Sequence, residues 1–329
     1  MDAKADILAM LSSREGEYIS GQELSERLGF SRTAVWKHIR ELRESGYTIE
    51  SVKKSGYRLV ARPNTISAPE IQSGLHTENF GCRVHYEESV ASTQKIAHQL
   101  ASEGAPEGTL VVADEQTGGR GRLGRPWHSP KGTGIWASLV LRPHISPQQA
   151  PQLTLLAAVG VVKGMKAGAG LDCDIKWPND ILCGGKKLVG ILTELQADPD
   201  QVHSVIVGMG MNVNTKKTDF PEELRDTATS VCIETGQDVH RAFLLQNILR
   251  ETERLYTEYL REGFRFIKLL WESYAVSLGN VIQARTLQGT LVGRAMGLND
   301  SGFLILEDEH GKRHEVSSAD IELPSEKRT

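Results

Sequence analysis

Gln116-Thr117-Gly118-Gly119-Arg120-Gly121-Arg122-Leu123-Gly124-Arg125-Pro126-Trp127 follows a predicted strand and carries glycines at 119, 121 and 124, the G-x-G-x-x-G spacing of a dinucleotide-binding turn. A doubly wound fold needs a helix directly after those glycines, its amino end on the pyrophosphate. Here Pro126 and Trp127 stand where that helix should begin, and three arginines crowd the turn. No G-K-[ST] follows, so the segment is not a P-loop either. Glycine admits backbone angles closed to other residues, and guanidinium forks grip carboxylates and phosphates through paired hydrogen bonds. The expectation is a mobile loop that folds over an anionic small molecule. A merely solvated basic loop would not need so many glycines and arginines together.

Outward from this loop the chain alternates strand and helix from about residue 82. Strands are predicted at 84–87, 109–113, 135–141, 175–177, 188–195 and 204–213, with helices at 95–102 and 152–166, a pattern for a mixed sheet with a sizeable core. Two constellations point to the same kind of ligand. Lys176-Trp177-Pro178-Asn179-Asp180 ends a strand in an amide and a carboxylate at a turn. Gly184-Gly185-Lys186-Lys187-Leu188-Val189-Gly190-Ile191-Leu192 returns through a hairpin, with Lys186 as ordinary solvated punctuation and Lys187 starting the strand. Gly208-Met209-Gly210-Met211-Asn212-Val213-Asn214 leaves room for backbone to approach a nucleotide. Residues 215–229, around Phe220 and Pro221, read as a long polar loop. Helical patterning from 239 to 273 predicts Leu244, Leu245, Ile248, Leu255 and Leu260 as core. Short strands at 280–284, 289–296, 303–306 and 313–316, separated by turn residues, form a small β-barrel signature.

The first sixty residues read differently. Ile7, Leu8 and Leu11 mark one helix; Ser20-Gly21-Gln22-Glu23 is a capping box opening a second, closed by Gly29. Ser31 caps a third, with Val35, Ile39 and Leu42 as its apolar stripe and Gly46 as its stop. Strands at 47–51 and 57–60 flank Lys53-Lys54-Ser55-Gly56, a basic wing tip. The order helix, short turn, helix, basic wing is that of a winged helix-turn-helix, which lays its recognition helix into the major groove. Ser31, Arg32, Thr33, Lys37, Arg40, Lys53 and Lys54 are the expected DNA contacts. Residues 31–62 hold eight basic side chains against three acidic ones, a local footprint for a polyanion. Arg62-Pro63-Asn64-Thr65 reads as a linker.

The chain has 329 residues, and at about 150 residues per domain this suggests roughly two to three domains. Charged residues at 24% and hydrophobic at 39% exclude a disordered or collagenous chain. The four cysteines lie far apart without a C-x-x-C pair and no H-E-x-x-H occurs, which argues against a disulfide framework and a structural zinc site. The longest apolar run, about residues 153–162, is half of what a membrane helix needs, and the amino end lacks a signal pattern; a cytoplasmic protein with no membrane association is expected.

Ser92-Thr93-Gln94, the 119–127 loop, Lys176-Trp177-Pro178-Asn179-Asp180, the 187–192 strand and Gly208-Met209-Gly210-Met211-Asn212 together resemble the biotin protein ligases. With the amino-terminal helix-turn-helix, the chain resembles the bacterial bifunctional proteins that ligate biotin and repress the biotin operon. The likeness covers nearly the whole chain, and the arginine-glycine loop followed by K-W-P-N-D is its most specific part. It implies a multidomain α+β protein: a winged helix-turn-helix over 1–64, a mixed-sheet catalytic domain over 65–275, and an SH3-like small β-barrel over 276–329. It further implies that biotin and ATP, with Mg²⁺, form biotinyl-5′-adenylate and pyrophosphate. A lysine of a biotin carboxyl carrier domain, of acetyl-CoA carboxylase or a related carboxylase, then takes the biotin. The implied biotin contacts are Ser92, Thr93, Gln94, Gln116, Gly119, Arg120, Gly121, Arg122 and Lys187, and the implied nucleotide contacts are Arg122, Trp127, Asn179 and Asn212. Arg122 and Lys187 would be catalytic, lowering the repulsion between two anions. Metal ligands are not assigned, though Asn179 and Asn212 could also serve a Mg²⁺ shell. The 215–229 loop would order over the adenine. Gln94 stands where the family has asparagine, and Leu123 where a third arginine is common. The resemblance also implies operator DNA as a partner, and two winged modules on an inverted repeat call for a homodimer. A lipoate or octanoate ligase and a non-enzymatic biotin sensor are the alternatives; the intact arginine-glycine loop and Lys187 argue against both.

Overall fold

A computed structural model describes residues 3–14 and 16–322, so parts of the 1–64 and 276–329 units lie outside the described residues. The chain opens with helices α1 (Ala3–Ser13), α2 (Gly21–Leu28) and α3 (Arg32–Glu44), then the hairpin β1 (Thr48–Val52) and β2 (Gly56–Ala61). Ile7, Leu8, Leu11, Leu24, Val35, Ile39 and Leu42 close around Tyr47 and Ile49 as a separate core. Ser31 caps α3 by accepting from the Ala34 amide at 3.1 Å. The capping box at α2 forms by half. Ser20 Oγ accepts from the Glu23 amide at 3.1 Å, but the Glu23 carboxylate turns to Arg14 at 2.8 Å and Arg27 at 3.4 Å, where cations compete better than one backbone amide.

Next come α4 (Ala68–Gln72), β3 (Val84–Val90), α5 (Thr93–Ser102), β4 (Leu110–Gln116), β5 (Gly134–Leu141), α6 (Ala150–Ala169), β6 (Asp174–Lys176), β7 (Asp180–Cys183), β8 (Lys186–Ala197) and β9 (Val202–Asn212). The seven strands form one sheet in the order β3-β4-β5-β9-β8-β7-β6, with β3 and β4 parallel and every other pairing antiparallel. The sequence patterning missed α4 and β7: each is too short for a period to register. One sheet face takes α5 through Ala97, Ala101, Val111, Val140 and Ile206. The other carries α6, followed in the chain by α7 (Val231–Thr235), α8 (Arg241–Glu262) and α9 (Phe264–Tyr274). Helices α6 and α8 approach closely along Gly160, Gly164 and Gly168. A Cβ on Gly164 would stand 2.5 Å from the Ile248 Cα.

The predicted 239–273 helix is two helices, broken at Gly263, which has φ of 79°. Leu244, Leu245, Ile248 and Leu255 are buried as expected, but Leu260 is 49% exposed. The buried stripe runs on through Tyr256 and Tyr259, and Leu260 lies one step around the helix from it. The carboxyl-terminal unit is an SH3-like antiparallel sheet of β10 (Val281–Thr286), β11 (Gly289–Leu298), β12 (Leu304–Glu307), β13 (Arg313–Val316) and β14 (Asp320–Glu322), ordered β13-β12-β11-β10-β14. A bulge between Ala295 and Gly297 bends β11. Ile282, Ala284, Leu298 and Leu306 join the apolar core of the central sheet, so the two units share one interior. No helix among the described residues is long and apolar enough to cross a membrane.

The linker is pinned rather than loose. Asn64 donates to the Val239 carbonyl and accepts from the Arg241 amide, while its own carbonyl receives the Arg241 guanidinium. Arg241, only 2% exposed, also pairs with Asp114 at 2.8 Å. Beside it Glu70, 1% exposed, takes Arg62 at 2.5 Å and the Tyr47 hydroxyl, joining the winged unit to the rest.

Candidate functional site

A cavity of about 650 Å³ opens at the ends of β4, β8 and β9. Its floor is polar but uncharged. Gln116, last residue of β4, accepts from the Thr93 amide at 2.9 Å and hydroxyl at 3.1 Å, and donates to Ser129 at 3.1 Å. The Thr93 hydroxyl meets Ser138 at 2.9 Å; Ser138 bonds the Gln94 carbonyl oxygen, and the Gln94 amide donates to the backbone of Leu192 and Ile206. Ser92, at the head of α5, completes the wall. Sequence reasoning missed Ser138. Its signal was a lone hydroxyl in the otherwise apolar, wholly buried strand β5.

The arginine-glycine segment folds back on itself. Trp127 donates its amide to the Gly119 carbonyl and Gly121 to the Arg125 carbonyl, with Leu123 at the tip in the left-handed region. Gly119 is buried beneath the loop rather than on the cavity wall: a Cβ there would lie 2.7 Å from both the Ser129 hydroxyl and the Trp127 carbonyl. Gly121, Arg120, Arg122 and Trp127 line the cavity. The glycines expected to admit a nucleotide are filled by protein instead. Gly190 and Gly210 face each other across β8 and β9 and make a trough for the Trp127 indole; a Cβ on Gly210 would stand 2.3 Å from its Nε1. Gly208 makes room for the Gln94 amide in the same way.

Two cations converge on one corner. Arg122 donates to Asn179 Oδ1 at 3.0 Å, to Ser318 Oγ at 2.7 Å and to the Ala319 carbonyl at 3.3 Å. Burial lowers its pKa from the ordinary guanidinium value, opposed by Asp320 and Asp180, so its charge is partly stripped of water and ready for an oxyanion. Lys187, from the start of β8, pairs with Asp180 at 2.7 Å, and its ammonium lies 5.3 Å from the centroid of the Trp127 ring. Asn179 is held by its amide on the Ile191 carbonyl at 2.8 Å, and Asn212 by its amide on the Thr229 carbonyl at 3.1 Å. Arg125 pairs with Asp320, so the carboxyl-terminal unit grips the loop at two arginines. The 215–229 segment is tied to β8 by exchanges between Lys187 and the backbone of Thr227 and Thr229, and it lays the buried Phe220 on the cavity. An uncharged hydrogen-bonding floor, an aromatic wall and two cations suit a polar ring with an acidic arm beside a phosphate. Among the described residues no cluster of three or more His, Cys, Asp and Glu could hold a metal.

On the winged unit, Arg32, Thr33, Lys37, Arg40, Lys53 and Lys54 are all exposed. Ser31 spends its hydroxyl on the α3 cap. Lys37 and Arg40 are loosely paired with Glu41 at 3.9 Å and Glu44 at 3.6 Å, contacts a phosphate can replace. The same face carries Trp36, 53% exposed, which sequence reasoning passed over.

Three family models match the chain: an HTH domain over residues 4–58, the biotin/lipoate A/B protein ligase family over 86–212, and the biotin protein ligase C-terminal domain over 277–323. The bifunctional ligase/repressor BirA of Bacillus spizizenii is 55% identical over 97% of this chain and 98% of its own length. The Escherichia coli protein of the same name is 27% identical over 92% of each chain. Among solved structures, the biotin protein ligase from Aquifex aeolicus in complex with biotin and ATP superposes with a TM-score of 0.63 at 31% identity, covering 74% of this chain and 98% of that one.

Proposed function

Because the chain belongs to the family of bifunctional biotin ligase/repressors, we infer that the cavity is its ligation site and residues 1–64 its operator-binding unit. The protein is an ATP-dependent biotin protein ligase and a biotin-responsive transcriptional repressor. In its reaction the biotin carboxylate attacks the α-phosphorus of ATP and pyrophosphate leaves. A lysine amine of the biotin carboxyl carrier protein then attacks the carbonyl of the adenylate, forming the amide and releasing AMP.

The meeting of Arg122 and Lys187 at the Asn179–Asp180 corner carries our assignment of roles. The adenylation step brings two anions together, and preorganised cations reduce their repulsion and stabilise charge gathering on the transferring phosphorus. In the free protein both cations rest on Asp180, Asn179 and residues 318–319, contacts that substrate oxyanions can take over. Ser92, Thr93, Gln94 and Gln116, with Ser138 behind them, supply the donors and acceptors for the ureido ring, and Arg120 with Gly121 covers the acidic arm. Trp127, Asn212 and Phe220 are the proposed nucleotide wall.

Mg²⁺ fits as a companion of the triphosphate rather than a resident ion. The cavity offers scattered oxygen donors such as Asp180 and Asn179, and Mg²⁺ is commonly held by one or two carboxylates plus substrate phosphates. We read residues 65–275 as the catalytic unit and 276–329 as the unit that steadies its arginine loop. A homodimer on an inverted-repeat operator, a cytoplasmic setting and a carrier domain of acetyl-CoA carboxylase or a related carboxylase complete the proposal. Incubation with labelled biotin, ATP and a carrier domain tests it: label transfer to the carrier lysine is expected. Absence of both adenylate and transfer would leave a sensor without catalysis, and transfer of lipoate in place of biotin would leave the lipoate-type alternative.

A further inference from the structure

Helix α3 buries Val35, Ile39 and Leu42 at 0%, 1% and 1% exposure. Trp36 follows Val35 by one residue, about 100° around the helix, and therefore cannot share that stripe. It is 53% exposed, with Arg32 and Arg40 one turn to either side and Thr33 and Lys37 adjacent. The Arg40 guanidinium lies 5.1 Å from the ring centroid, so the indole is braced by a cation. Leaving half an indole in water on a polar, basic face buries little apolar area for the fold, and exposed tryptophan marks contact surfaces.

We propose that Trp36 reads a base in the operator, by laying its apolar face against the C5-methyl group of a thymine in the major groove. The proposal rests on the winged unit binding DNA. Trp36 is the fifth residue of α3, within the amino-terminal part of a recognition helix that reaches base edges. An indole offers a flat hydrocarbon surface and one N–H donor, with no acceptor. Among the groups displayed in the major groove the thymine methyl alone is apolar, so it is the group that matches this surface. The stacked Arg40 then points its charge toward the neighbouring phosphate or a guanine edge, while Lys37, Lys53 and Lys54 supply contacts that carry no sequence information.

The test is selection from a random-sequence duplex library with the full-length protein, in the presence of biotin and ATP, using wild type, Trp36→Ala and Trp36→Phe. The wild-type duplex is then remade with deoxyuridine replacing each thymine in turn, which removes only the methyl. At one thymine per half-site, loss of the methyl is expected to weaken wild type about fourfold, the burial of one carbon. Trp36→Ala should be indifferent to that replacement and should select duplexes with the preference lost at that position alone. Trp36→Phe should retain part of it. Unchanged thermal unfolding of the variants excludes misfolding. If Trp36→Ala selects the same sequence and keeps the same sensitivity to deoxyuridine, the proposal fails. It fails equally if the variant alters only self-association. If even wild type enriches no duplex, the operator-binding reading itself falls, and this proposal with it.

Discussion

Arg122 and Lys187 reach one corner from a loop and a strand 65 positions apart in the chain, and both are already occupied there by neutral or acidic groups of the protein. Each charge-assisted contact to a reacting oxygen should be worth about 1.5–3 kcal/mol. Lys187→Ala and Arg122→Ala should therefore slow single-turnover adenylation roughly 10- to 150-fold, and Arg122→Ala should also let the mixed anhydride escape. Unchanged adenylation and unchanged adenylate dissociation in both variants would remove these residues from the mechanism. A third residue matters for a different reason. Glu70 is buried with Arg62, Tyr47 and, at 3.5 Å, His240; burial and the carboxylate together push the Tyr47 phenol well above its ordinary pKa, keeping it a donor. Glu70→Gln weakens the ion pair to Arg62 and should cost about 1–3 kcal/mol at this joint. Limited proteolysis within residues 62–65 should accelerate; an unchanged cleavage rate would mean that other contacts hold the winged unit.

At the scale of elements, the α6 to α8 contact sets two effects of opposite sign against each other. Alanine is favoured over glycine inside a helix by about 0.8–1.0 kcal/mol. At Gly164, however, the added carbon would press on the Ile248 backbone at 2.5 Å, and overpacking of this kind costs about 1–3 kcal/mol. Gly164→Ala is expected to lower the melting temperature. A higher one would show that α8 can step back freely. The same comparison explains why α6 tolerates glycines at 160, 164 and 168 along one ridge: they are where its neighbour's backbone sits.

Across the whole molecule, contacts run from the cavity proposed as the ligation site to the winged unit without a gap. Asn212 holds the 215–229 segment, Asn214 exchanges hydrogen bonds with Val239, Val239 and Arg241 hold Asn64, and His240 reaches the Pro63 carbonyl and Glu70. If the two loops over the cavity gain order on the adenylate and border the surface of the proposed homodimer, ligand removes in advance part of the entropy cost of association. Saturating biotin and ATP should then strengthen self-association and operator binding, by about 5- to 150-fold for an ordinary coupling energy, and carrier domain should reverse this by consuming adenylate. Sedimentation and operator titration with and without biotin plus ATP decide it. Identical values in the two conditions would leave residues 1–64 as a DNA-binding appendage.

Local chemistry was enough to read the caps at Ser31 and Gly29, the stripe of α3, the basic wing, and the strand-and-helix alternation of the central unit, because each depends on neighbours within a turn or a two-residue repeat. The arginine-glycine loop and the K-W-P-N-D turn stood out by residue type as a candidate ligand site, and the fold brings both onto one cavity. The tertiary structure alone decided what closes around them. Gly190 and Gly210 are unremarkable in their own strands, and only antiparallel pairing of β8 with β9 turns them into the trough that seats Trp127. Ser138 becomes part of the floor because β5 lies beside β9 and under α5. Ser318 and Asp320 reach Arg122 and Arg125 from nearly two hundred residues away, a proximity no periodicity encodes, since it follows from two units burying their apolar faces in one shared core.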